Sequence, residues 1–135
     1  MPFEELEHTA DVLMRITADT PEELFLESAR AMFSIMFCNR GNTGIRYSFS
    51  TESDSLDSLL QEFLSELLYL SEVNSTVFSD VSVTISGNTL QAEASGELFD
   101  QKKHAGGTEI KGVSYSGLNI KKEGKYYQVD ILFDI

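Results

Sequence analysis

The spacing of apolar residues along the chain switches between a period of two and a period of three to four, and the switches mark out its elements. Over Asp11–Thr17, Val12, Met14 and Ile16 fall on one face, with Leu13 interrupting the alternation, and the segment reads as a strand. Thr20-Pro21-Glu22-Glu23 then predicts a helix start: Thr20 as N-cap, Pro21 in the first turn and Glu23 closing a capping box. Phe25, Ala29, Met32, Phe33 and Met36 follow at helical spacing and make one apolar face, which Asn39-Arg40-Gly41-Asn42 terminates. Ile45–Thr51 alternates again, with Ile45, Tyr47 and Phe49 opposite Arg46, Ser48 and Ser50. Ser53-Asp54-Ser55 offers caps for a second helix whose stripe runs from Leu56 through Leu68, predicted to end near Ser71.

From Val77 onward the period is two. Val81, Val83 and Ile85 alternate with Ser82, Thr84 and Ser86, Gly87-Asn88 predicts a hairpin turn, and Thr89–Phe99 returns as the partner strand. Asp100–Thr108 reads as a loop and Glu109–Ile120 as a strand region, with bulges or close backbone approaches at Gly112 and Gly117. Glu123-Gly124 marks a turn before a last apolar strand, Tyr126–Ile135. Two main helices among strands predict an α+β fold, one domain over residues 1–135, with the helices packed on a mixed or antiparallel sheet.

Composition narrows the function. The 135 residues carry a net charge of −12, which disfavours a nucleic-acid phosphate backbone or an anionic membrane as the main partner. The charge is uneven. Residues 1–101 hold eighteen acids against four arginines, a balance of −14, whereas residues 102–135 hold six lysines against four acids, a balance of +2. That lysine-rich third reads either as a solvated hairpin face or as a functional patch. Cys38 is the one cysteine; its apolar neighbours Met36 and Phe37 predict a buried structural thiol. No secretory or membrane-spanning pattern is visible, so a cytoplasmic location is expected.

Candidate chemistry concentrates at two places. Glu7-His8-Thr9-Ala10-Asp11 reads as a capped turn feeding the first predicted strand or as a polar site. Asp134 follows the apolar run Ile131-Leu132-Phe133, and Ile135 with its carboxylate stands next to it. If Asp11 met Asp134, these oxygens would form a hard-donor cluster for Ca²⁺, Mg²⁺ or Mn²⁺ rather than zinc, because clustered carboxylates need a cation to coexist ionised. His104 and Lys111 flank Gly106-Gly107 in a basic loop that reads as an exposed turn or as a contact for phosphate or a carboxylate-rich partner. No nucleophile elbow, phosphate loop, zinc or kinase motif is present.

Glu7-His8-Thr9-Ala10-Asp11 resembles the opening motif of the archease family. The same family is matched by Ala29-Arg30-Ala31-Met32-Phe33, by Ser58-Leu59-Leu60 and Glu66-Leu67-Leu68-Tyr69-Leu70, and by Gly96-Glu97 with Asp100 and His104. Glu109-Ile110-Lys111-Gly112-Val113-Ser114-Tyr115 and the closing Phe133-Asp134-Ile135 complete the set, in order over nearly the whole chain. Two positions depart from the pattern: the family usually has alanine where Gly112 stands and histidine where Ser116 stands.

The resemblance implies a non-catalytic protein cofactor of the GTP-dependent RNA ligase of tRNA splicing, promoting the ligase's guanylylation and repeated turnover. It implies a divalent-metal site on Asp11, Asp134 and Ile135, best suited to Ca²⁺ with Mg²⁺ or Mn²⁺ as alternatives. It also implies activating roles for Lys111, with His104 and His8 as further partner residues. The rival expectations are a stand-alone metal-dependent hydrolase of a small phosphoester, and an RNA chaperone acting through the lysine-rich third.

Overall fold

The computed structural model describes residues 2–8 and 11–135, and for residues 5–8 the backbone alone. In chain order the elements are β1 (Phe3–His8), β2 (Asp11–Ala18), α1 (Pro21–Met36), β3 (Ile45–Glu52), α2 (Leu56–Val73), β4 (Thr76–Ser86), β5 (Thr89–Leu98), α3 (Gln101–His104), β6 (Gly112–Val113), β7 (Lys121–Glu123) and β8 (Tyr126–Asp134).

Local chemistry sets the main boundaries. Thr20 Oγ1 accepts the Glu23 N–H at 3.1 Å ahead of Pro21, so the cap read from the sequence starts α1. Ser55 Oγ accepts the Ser58 N–H at 3.2 Å and starts α2, which runs two residues past the expected Ser71. Gly87 takes φ +61° in the turn between β4 and β5, a conformation that costs glycine little.

The expected α+β class holds, with the strands divided between two sheets, each antiparallel throughout. The first has the order β1-β2-β8-β6, with β7 also paired to β8; the second has the order β3-β5-β4. Helix α1 packs against β2 of one sheet and β4 of the other, so it bridges them. The core draws Val12, Met14 and Ile16 from β2, Ile131 and Phe133 from β8, and the apolar stripes of both helices. Phe63 of α2 lies at its centre, fully buried, with ring centroids 5.7 Å from Phe25 of α1 and 6.1 Å from Phe49 of β3.

Several expectations are corrected. Strand β1 was not anticipated: its two adjacent acids hide the alternation, and its pairing with β2 shifts register between Glu5 and Glu7. Thr9 and Ala10 of the opening motif lie outside the described residues. The predicted strand over Glu109–Ile120 shrinks to Gly112–Val113. Its apolar character comes instead from Ile110 and Leu118, which enter the core from irregular backbone, while a turn closes from Leu118 N–H to Tyr115 C=O at 3.1 Å. The expected loop over Asp100–Thr108 begins with the short helix α3. Cys38 is exposed rather than buried. Helix α1 ends at Met36, and Phe37 turns extended at φ −146°, so Cys38 no longer follows the helix's apolar face.

Because Phe63 links both helices to the second sheet, truncation there creates a cavity as well as losing burial. Phe63→Ala is expected to lower unfolding stability by about 3–5 kcal/mol, read from urea denaturation. A loss below about 1 kcal/mol would show that the site collapses around the smaller residue.

Candidate functional site

The strand pattern decides where the candidate carboxylates go. In β2, Val12, Met14, Ile16 and Ala18 are buried, which turns Asp11, Leu13, Arg15 and Thr17 to the opposite face. In β8, Val129, Ile131 and Phe133 are buried, which turns Asp130, Leu132 and Asp134 to that same outer face. The ladder pairs Asp11 directly with Asp134, Leu13 with Leu132 and Arg15 with Asp130. Arg15 and Asp130 neutralise one another through a two-pronged contact, Nε to Oδ1 at 2.9 Å and Nη2 to Oδ2 at 3.1 Å, which holds the Arg15 proton more tightly than usual. At the end of the sheet, Asp11 and Asp134 stand opposite each other as like charges, an unfavourable pairing without a cation.

Strand β6 completes this end from the other side. Gly112 pairs with Asp134, and the Lys111 N–H donates to the Asp134 carbonyl at 2.7 Å. A Cβ on Gly112 would lie 3.9 Å from Asp134 Oδ2, an ordinary contact. Alanine therefore fits at this position, and the departure from the archease pattern at Gly112 is sterically neutral. Lys111 is exposed, Ile135 is half-buried against the core, and Ser116 lies exposed in the turn beyond β6. The structure thus brings together Asp11, Asp134 and the backbone of Lys111. His8 pairs through its backbone with Val12, one residue from Asp11, and its side chain lies outside the described residues.

The donor set fits a hard cation. Two carboxylates share one face, and next to Asp134 stands a residue without a side chain, leaving room over the carboxylate. Among the described residues no group of three His, Cys, Asp or Glu side chains is spaced to hold a metal. Further oxygens at this end would have to come from main chain, including Ile135, or from water, as is common for Ca²⁺ and Mg²⁺.

His104 belongs to a different group of residues. The side chain is 1% exposed, not in an open loop. Its Nδ1 accepts the Asp100 N–H at 2.8 Å, so the donor proton is on Nε2, which bonds Glu97 Oε2 at 2.7 Å. Glu97, buried at the end of β5, also accepts the Gly41 N–H at 3.0 Å and lies 2.8 Å from Lys103 Nζ. Phe37 and Phe99 pack on the imidazole at centroid distances of 6.0 and 5.7 Å. Glu97 was not singled out from the sequence as a site residue. The sequence signal was its place in the segment Gly96-Glu97 with Asp100 and His104; the structure adds that β5 buries Gly96 and Glu97 in succession and there loses its alternation.

A family model described as the Archease protein family matches residues 3–135. Among curated relatives, the protein archease of Methanopyrus kandleri is 31% identical over the full length of both chains. That of Pyrococcus furiosus is 36% identical over 89% of this chain and 88% of its own. The Methanosarcina barkeri archease is 36% identical over 98% and 95%. Two solved structures share the fold. Protein 1598 of Methanobacterium thermoautotrophicum superposes with a TM-score of 0.81 at 24% identity, covering 99% of each chain. A Thermotoga maritima archease, described as a possible chaperone, superposes with a TM-score of 0.70 at 20% identity, covering 98% of this chain and 96% of its own.

The Glu97 cluster generates a pH prediction. The bonds from Lys103 and then His104 pull the Glu97 carboxyl from the ordinary 4.5 down to about 2, burial opposes them, and the Gly41 amide adds to the lowering. A carboxyl with a depressed native pKa stabilises the fold fully above its unfolded value and loses that stabilisation as pH falls through its native value. Glu97 therefore contributes in full at neutral pH and loses its contribution between about pH 4.5 and about 2. Glu97→Gln is expected to be less stable than wild type at pH 7, with the gap in urea midpoints narrowing toward pH 2. Parallel pH profiles for the two proteins would show that the carboxylate is not held by these partners.

Proposed function

The chain belongs to the archease family, and on that footing we propose that it is a non-catalytic activator of a GTP-dependent RNA ligase, promoting the ligase's guanylylation through its acidic tip. The observation that carries this reading is the register of Asp11 opposite Asp134, with Gly112 and the Lys111 backbone closing the other side. Asp11, Asp134 and the main-chain oxygens at Ile135 would hold a divalent cation, best suited to Ca²⁺ with Mg²⁺ or Mn²⁺ as alternatives, which supplies positive charge for phosphate oxygens.

The chain's own groups act by positioning. Lys111, exposed immediately ahead of β6 and bonded through its N–H to the Asp134 carbonyl, presents an ammonium to a nucleotide phosphate held by the ligase. The ligase's own nucleophile attacks the α-phosphorus of GTP and the α–β phosphoanhydride bond breaks to release pyrophosphate, which accords with the absence of nucleophile motifs in this sequence. A body of net charge −12 suits a partner that holds the RNA itself and presents a basic surface. A role in tRNA splicing follows from that partner, and so does a cytoplasmic location.

Asp11→Ala and Asp134→Ala are each expected to lower stimulation of ligase guanylylation by at least about tenfold while leaving the fold intact by circular dichroism. Adding one residue after Ile135 is expected to weaken divalent-cation binding, measured by calorimetry. Wild-type stimulation by folded aspartate variants would overturn the reading. Phosphoester turnover by the purified protein with metal alone would favour a hydrolase instead.

A further inference from the structure

Lys111 is presented by a segment with little beneath it. Between the buried residues His104 and Ile110 run five exposed residues, Ala105 to Glu109. This strap borders a cleft of about 390 Å³ whose other walls include Phe37, Ser71, Thr76 and Phe99. Without continuous packing below it, the strap's course depends on a few anchors. At its middle, the Thr108 N–H donates to the Ile35 carbonyl at 3.1 Å, one of the end carbonyls of α1. Gly107 lies so close to the same helix end that a Cβ would sit 1.6 Å from the Met36 oxygen. At its far end, Ile110 enters the core and the Lys111 N–H reaches Asp134.

At the near end the buried His104 ring is tied to the body through Nε2, while Nδ1 closes its own turn and the neighbouring Lys103 reaches the same carboxylate from the exposed side. Nδ1 accepts from Asp100 and Nε2 donates to Glu97, whose carboxylate is in turn fixed by Lys103 and the Gly41 backbone. We propose that the Glu97–His104 bond is a strut that positions the strap and, through it, Lys111, making Glu97 and His104 positioning residues rather than surface contacts. The functional consequence rests on the activator reading above. The structural consequence stands without it.

The two ring nitrogens can be tested apart. His104→Gln places an amide NH₂ near the position of Nε2 and keeps a donor for Glu97. His104→Asn is one methylene shorter, can serve only the Asp100 N–H, and cuts the strut. Amide hydrogen exchange on the free protein gives a readout that needs no ligase. In His104→Asn, exchange at Thr108 and Lys111 is expected to speed up by roughly tenfold or more, with Met14 and Ile131 in the β2–β8 ladder changing by less than about twofold. His104→Gln is expected to stay near wild type. With ligase, His104→Asn is expected to lower maximal stimulation of guanylylation while leaving its half-saturating concentration unchanged.

Unchanged exchange at Lys111, equal behaviour of the two His104 variants, or a uniform rise across the β2–β8 ladder would each overturn the strut. If His104→Asn does not fold, Glu97→Ala removes the acceptor of the same bond and carries the same measurement. If wild type fails to stimulate the ligase, the activator reading falls, and the exchange data still decide the strut.

Discussion

The antiparallel ladder from Asp11 opposite Asp134 to Ala18 opposite Tyr127 is the constraint on which the rest of the molecule depends. It places β8 between β2 and β6, and so makes it the strand on which the first sheet is assembled. Its register is enforced by burial, because Val12, Met14 and Ile16 must meet Ile131 and Phe133 in the core. A slip of one residue would turn those side chains to solvent and drive Asp11, Arg15 and Asp130 inward, at several kcal/mol for each buried unpaired charge. The alignment of two aspartates at one end of the sheet is therefore a by-product of core packing. No loop has to be held in place to achieve it.

That origin explains what could be read in the sequence and what could not. The helices were legible because Thr20-Pro21 and Ser55 are local caps followed by long apolar stripes, and the β4–β5 hairpin because Gly87-Asn88 is a local turn. Asp11 and Asp134 were recognisable as candidates, but their meeting depends on residues more than a hundred positions apart, which periodicity does not specify. The archease resemblance supplied the link, and the ladder gives its physical basis. Where side chains enter the core from irregular backbone, as Ile110 and Leu118 do, an apolar pattern suggested a strand that is mostly absent. Cys38 was misread for the converse reason: an apolar neighbourhood in sequence loses its meaning once the helix has ended.

His104 shows the same lesson at the level of one residue. In sequence it sits among Lys102, Lys103 and two glycines, all marks of an exposed basic loop. In the fold, Glu97 pairs with the Lys103 ammonium and accepts a hydrogen bond from His104 Nε2, and Phe37 and Phe99 cover the ring. A basic cluster that looked available for an external anion is already occupied by an internal one. What remains of the lysine-rich third for an outside partner is Lys102, Lys111 and the exposed lysines of the β7–β8 hairpin.

The acids of the molecule differ in whether the fold neutralises them. Glu27 is matched by Arg30 at 2.7 Å, Asp130 by Arg15 and Glu97 by Lys103 with His104. Each of these carboxylates is neutralised within the fold and contributes to holding it. Asp11 and Asp134 face each other across a ladder, and among the described residues neither is matched by an ion pair. Like charges directly opposite one another on neighbouring strands work against the sheet that carries them. Their position at the sheet end keeps that cost small, because water and salt screen them there. A cation arriving from outside, whether a divalent metal or a basic group of a protein partner, would remove that repulsion and meet both carboxylates at once. Arg15, Arg30, Arg46 and Lys103 are committed to other acids and Arg40 to the Phe33 and Phe37 carbonyls, so among the described residues none of these internal cations offsets the charge of Asp11 and Asp134.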